Sequence, residues 1–181
     1  SLNIGAEAYA EMGLSLVGID CDLGETSVQI ASDSYGIGEL ATRRLMDDGC
    51  SRILCLRNNS RMRMPANKRT DAYLDVVEQA GLSALVREVE FVKPDDEKSA
   101  VVAKILDENP DIDGIFAGDD TMAAICLNVM KQRGLSAPGD IKVVGADGAR
   151  RTMTFMPDLT TVRQDIDRIG ELAAQSIIAL I

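Results

Sequence analysis

Residues Asp140 to Gln164 read DIKVVGADGARRTMTFMPDLTTVRQ. Within them Lys142-Val143-Val144-Gly145 is a short run rich in β-branched residues and closed by Gly, the composition of a parallel strand covered on both faces. Asp147 stands just past its C-terminal end, and Leu159 to Val162 forms a second, more polar strand leading to Gln164. In open α/β sheets, ligands bind outside the carboxyl ends of the strands. Comparable short runs recur at Ser15 to Asp20, Val28 to Ser32, Arg52 to Arg57, Leu85 to Phe91 and Gly114 to Ala117. Amphipathic stretches alternate with them, which is the pattern of βαβ units around a parallel sheet. Helices are predicted from about Leu40 to Gly49, Ala66 to Gln79, Asp95 to Glu108, Asp119 to Arg133 and Ile166 to Ile181.

The chain has 181 residues, enough for one ordinary domain or two small lobes, and 46% hydrophobic residues suffice for a packed core. A net charge of −10 opposes direct binding to a phosphate backbone. Histidine is absent, and Cys21, Cys50, Cys55 and Cys126 show no CxxC spacing, which excludes zinc-finger layouts and His-based catalysis. These cysteines fit buried, reduced thiols in a cytosolic protein. No run approaches the ~18 apolar residues of a membrane span, and the first residues lack a basic-then-apolar signal pattern. Leu2 to Met12 reads as the tail of a helix, and Ile177 to Ile181 stops on apolar residues, as expected of a piece of a longer protein.

Pro157 to Gln164, PDLTTVRQ, together with the strand before it, resembles the effector-binding domain of LacI/GalR-type bacterial transcription regulators. Other segments resemble the family in the same order: Ser15 to Asp20 as a strand ending in Asp, Asp33 with Gly38, Ala41, Leu45 and Gly49, and Arg69 with Ala72 and Tyr73. Ile115 to Met122, IFAGDDTM, is similar to the family's strand-to-helix turn, but carries Asp119 where the family usually has Asn or Gly. The resemblance implies an α/β fold with a Rossmann-like parallel sheet flanked by helices, a periplasmic-binding-protein-like C-terminal lobe plus part of an N-terminal lobe. Residues 1–32 would be the partial N-terminal lobe, 33–161 the effector-binding lobe, and 162–181 the crossover and a returning helix. It also implies a cytoplasmic homodimer without a cofactor, acting on DNA only through a headpiece that is not in this sequence.

The residues expected at the ligand are Arg69, Asp119, Asp147, Gln164, Phe91 and Asp33. Arg69 offers five fixed donors that can fork onto hydroxyls, a carboxylate or a phosphate; read without the resemblance it is a solvated arginine on a helix face. Asp147 can accept hydrogen bonds from neighbouring sugar hydroxyls, or form a turn with Gly148. Of Asp119 and Asp120, one can cap the following helix while the other points to the cleft. Gln164 is either a ligand amide where the chain crosses between lobes or a polar strand end. Phe91 is a candidate stacking platform for a sugar ring, whereas Phe116 fits the core and Tyr73 helix packing. The basic run Arg52, Arg57, Arg61, Arg63, Lys68 and Arg69 suggests an anionic effector such as a sugar phosphate or acid, unless these side chains pair with acids on neighbouring elements.

The expected function is therefore non-catalytic: a domain that senses a sugar-like effector in an interlobe cleft and modulates DNA binding, with no metal. A periplasmic sugar-binding protein of a transporter shares the fold and would carry a signal peptide in place of the headpiece. A Mg²⁺-dependent hydrolase using Asp119, Asp120 and Asp147 is the rival from another class. The sequence lacks GxxxxGK[ST], and Gly36-Ile37-Gly38 is not followed by the rest of a dinucleotide fingerprint.

Overall fold

A computed structural model describes residues 6–25, 27–59, 65–90 and 92–181. The chain opens with α1 (Ala6–Glu11), β1 (Val17–Ile19), β2 (Val28–Ile30), α2 (Ser34–Asp47) and β3 (Ile53–Asn59). A 3₁₀ turn over Pro65–Asn67 leads into α3 (Lys68–Gln79), followed by β4 (Leu85–Glu90), α4 (Asp95–Glu108), β5 (Gly114–Ala117) and α5 (Asp120–Gln132). The last elements are β6 (Lys142–Asp147), α6 (Arg150–Phe155), β7 (Thr160–Arg163) and α7 (Ile166–Ala179).

Five strands form one parallel sheet in the order β4-β3-β5-β6-β7. The order reverses between β3 and β5, so the sheet has its topological switch point there, and the crevice that accepts ligands in open α/β folds opens at the carboxyl ends of those two strands. Strand period two sorts the core into two faces. Leu54, Leu56, Ile115, Ala117 and Val143 pack under α4 and α5. Ile53, Cys55, Phe116, Val144 and Ala146 face the other way, onto Ile37, Ala41 and Leu45 of α2 and Tyr73 and Val77 of α3. Covering both faces explains why these strands read as continuous apolar runs. Cys55 and Cys126 lie in this core as free thiols, and burial pushes both up to about 12. Phe116 is fully buried, and so is Tyr73, whose hydroxyl donates to the Ile53 carbonyl at 2.7 Å while accepting from the Leu85 amide at 2.8 Å. That ring fastens α3 to β3 and β4.

A smaller parallel pair, β1 with β2, aligns Val17 with Val28, and α7 packs on it. Among the described residues no helix is long and apolar enough to cross a membrane.

Helix boundaries differ from the sequence reading mainly where caps act. The α2 helix starts at Ser34, six residues before the first periodic Leu40, because the Asp33 carboxylate accepts from the Gly36 amide at 2.9 Å and so satisfies a free donor of the first turn. The short helix α6 was not expected at all: none of its side chains is buried, so it carries no apolar period. β3 runs on to Asn59, past the apolar part of its sequence, with its polar end paired to β4 through Asn59↔Glu90.

One close approach governs how α2 meets α3. A Cβ on Gly38 would lie 2.2 Å from the Arg69 carbonyl oxygen, so only glycine lets the two helices touch at this point. Gly38→Ala is expected to lower stability by about 1–3 kcal/mol, read as a lower urea midpoint. Gly170→Ala in α7, where nothing lies within 4 Å, is expected to be neutral or to raise the same midpoint, by up to about 1 kcal/mol.

Candidate functional site

Four neighbouring strands of the large sheet end in polar residues at one rim: Asn58 on β3, Gly118 and Asp119 after β5, Asp147 on β6, and Gln164 after β7. Arg69, in the first turn of α3, joins them. Its Nη1 donates to the Gly118 carbonyl at 2.6 Å and its Nη2 to Asp147 Oδ1 at 2.7 Å. The arginine is only 5% exposed, and its Nε is buried without a hydrogen-bond partner. An ion pair at this depth requires good geometry, since burying either charge alone is costly.

Asp147 is held from several sides. Gln164 Nε2 donates to the same Oδ1 at 2.7 Å, and the Gln164 amide donates to the Asp147 carbonyl at 3.0 Å. Its φ of +104° is a conformation that a residue with a Cβ rarely adopts, and it persists here where Arg69 and Gln164 grip the side chain. Gly148 follows with φ +63°, packed so closely on Arg163 that a Cβ would lie 2.4 Å from Arg163 Cγ.

Asp119 caps α5: Oδ1 accepts from the Met122 amide at 2.7 Å, and Oδ2 accepts from Asn58 Nδ2. Asp120 turns inward. It is 1% exposed, accepts from Thr161 Oγ1 at 2.5 Å and from the Ala149 amide at 2.7 Å, and so ties the start of α5 to β7 and to the entry of α6. Burial pushes its carboxyl above the usual range, with Asp147 and Asp119 adding to the shift, against the lowering effect of its two donors.

The structure thus brings Arg69, Asp147 and Gln164 into direct contact, with Asp119 one residue from the carbonyl that Arg69 grips. Asp33 lies at the entry of α2, its carboxylate engaged by Gly36; it lines, with Gln164 and Arg168, a groove of about 370 Å³ between the start of α2 and the start of α7. Phe91 lies outside the described residues, as do Arg61 and Arg63. Of the rest of the basic run, Arg52 pairs with Asp111 at 3.2 Å and Arg57 with Glu88, while Lys68 is exposed. Asn58, the Gly118 carbonyl and Thr161 were not anticipated. Asn58 could have been, since it is the polar exit of an apolar strand at the same rim. Among the described residues no group of three Cys, Asp or Glu side chains is placed to hold a metal ion.

Residues 42–181 match the family model of the periplasmic binding protein-like domain. The ribose operon repressor of Halalkalibacterium halodurans is 31% identical over 170 residues, which cover 94% of this chain and 50% of that protein. A LacI family transcriptional regulator from Arthrobacter sp. FB24, solved in complex with lactose, superposes with a TM-score of 0.84 at 26% identity, covering 98% of this chain and 65% of that one. The transcriptional regulator CelR in complex with cellobiose gives 0.83 at 28% identity, covering 95% and 54%. The chain spans about half the length of the curated relatives it matches.

The inward carboxylate has a pH signature. A carboxyl raised in the folded state binds its proton more tightly there than in the unfolded chain, so its contribution to stability falls as pH rises from the unfolded value of ~3.9 through the higher folded one. Asp120→Asn removes that titration and can still accept from Ala149 and donate to Thr161. Wild type is therefore expected to lose stability relative to Asp120→Asn across that window, checked by urea midpoints from about pH 3 to about pH 7.

Proposed function

Because this chain belongs to the periplasmic binding protein-like domain family, we propose that it is the effector-sensing part of a LacI/GalR-type transcription regulator, which holds a sugar or sugar derivative at the sheet rim without transforming it. The observation that carries the reading is the convergence of Arg69, Asp147 and Gln164, drawn from a helix and two strand ends, on one corner of the switch-point crevice. The remaining guanidinium hydrogens and the second carboxylate oxygen suit vicinal hydroxyls. The lactose and cellobiose held by two structural relatives support the same ligand class. An anionic effector is the less favoured form, since Arg52, Arg57 and Arg69 each already face a carboxylate.

In this reading residues 33–161 form the effector-binding lobe, residues 1–32 belong to a second lobe, and 162–181 cross over and return to it. The packing of α7 on the β1–β2 pair supports that division, and the pairing of Val162 and Arg163 with β6 favours a crossing at the C-terminal end of β7. Effector bound between the lobes would favour one arrangement of the two and, through a cytoplasmic homodimer, alter the spacing of DNA-binding headpieces outside this sequence. The ligand acts only through its differential affinity for the two arrangements.

Calorimetric titration with a panel of mono- and disaccharides and their phosphates at two salt concentrations tests this. At least one sugar is expected to bind with little salt dependence. Asp147→Asn and Arg69→Lys are expected to weaken it about tenfold to hundredfold, the range for losing a hydrogen bond to a charged group. Absence of binding across the panel would remove the effector reading, and Mg²⁺-dependent phosphatase turnover that disappears in Asp147→Asn would replace it with hydrolysis.

A further inference from the structure

The rim offers a solute both donors and acceptors. Each of its donor groups serves one protein acceptor and keeps a second hydrogen: Arg69 Nη1 binds the Gly118 carbonyl, Arg69 Nη2 and Gln164 Nε2 the Asp147 carboxylate, and Asn58 Nδ2 the Asp119 carboxylate. The one guanidinium nitrogen without an acceptor, Arg69 Nε, is buried. Acceptors remain open as well. Among the described residues Asp147 Oδ2, Asn58 Oδ1 and Gln164 Oε1 take no hydrogen bond, and Asp119 uses one bond on each of its oxygens, leaving lone pairs on both.

Charge at the rim is less evenly matched. Arg69 and Asp147 neutralise one another at 2.7 Å. Asp119 has no cationic partner among the described residues: a backbone amide and a neutral side-chain amide hold it. It is half-buried, so a solute that closes over it removes water from a carboxylate whose charge no described cationic side chain compensates. A hydroxyl in that place returns one charge-assisted hydrogen bond, an ammonium returns the missing positive charge as well, and a phosphate adds like charge.

We propose that Asp119 determines effector choice: the crevice favours an aminated sugar over its neutral parent, and the neutral parent over its phosphate ester. This rests on the effector reading above and names the ligand class of that same site. Asparagine at the position would keep the cap on α5, because its carbonyl oxygen can still accept from Met122, while removing the charge and turning one acceptor into a donor. The residue thus sets selectivity separately from helix stability.

The test uses glucose, galactose and mannose, each as the parent sugar, the 2-amino and 6-amino derivatives and the 6-phosphate, titrated by calorimetry into wild type, Asp119→Asn and Asp119→Ser, with thermal unfolding to establish that each variant is folded. In the series that binds, one amino derivative is expected to bind about tenfold more tightly than its parent and the phosphate at least about tenfold more weakly, with both differences collapsing in the two variants and recovering at high salt in none. A phosphate ester bound as well as its parent, or an amine-to-parent ratio unchanged in Asp119→Asn and Asp119→Ser, would overturn the role of Asp119 and leave the effector reading standing. If no member of any series binds, both fall together.

Discussion

The Arg69–Asp147 ion pair holds the rim together. It connects the first turn of α3 to the end of β6, while the other arm of the guanidinium reaches the carbonyl that follows β5. Three chain segments far apart in sequence are thereby fixed around one side chain that is 5% exposed. Such a pair contributes little net stability, because the desolvation of both charges offsets their attraction; its effect is geometric, since neither partner can leave without stranding the other. Everything beneath serves that placement. Gly38 lets α2 lie against the Arg69 backbone, and the Tyr73 hydroxyl, one helical turn further along, holds α3 against β3 and β4.

A second anchor works from below. Asp120 is buried beside Gly145, where a Cβ would approach its Oδ1 to 2.7 Å, and it links α5 to Thr161 of β7 and to the amide of Ala149. The adjacent aspartates therefore do different work: Asp119 faces the rim and caps, while Asp120 braces the strands that carry Asp147 and Gln164. Their separation follows from helix geometry, since an N-cap residue has extended backbone and the next residue is already helical.

Much of the sheet was legible because its strands are covered on both faces and so read as uninterrupted apolar runs: Gly114–Ala117 and the helix Asp95–Glu108 have the same limits in sequence and structure. Segments whose structure depends on caps or polar ends were harder. The start of α2 depends on the Asp33 carboxylate, the end of β3 on pairing with β4, and α6 on no buried side chain at all. The contact among Arg69, Asp147 and Gln164 could be suspected from strand-end position and from the family resemblance. That Arg69 would already be engaged by two protein acceptors could not, because both lie remote in sequence, on Gly118 and Asp147. The basic run left two readings open for the same reason: Asp111 and Glu88, which neutralise Arg52 and Arg57 as the pairing alternative expects, come from a loop and a neighbouring strand.

Gln164 is tied to Asp147 by both its main chain and its side chain, and the next residue, Asp165, already caps α7 through the Arg168 amide. Between a strand locked into the sheet and a helix locked by its cap there is thus almost no slack. Each residue contributes only two soft torsions, so the angle between the sheet and α7 is set by a handful of dihedrals around a single position. A solute that loosens the grip of Gln164 on Asp147 would act on those torsions directly, turning a change of one hydrogen bond at the rim into the swing of a whole lever arm of fourteen residues.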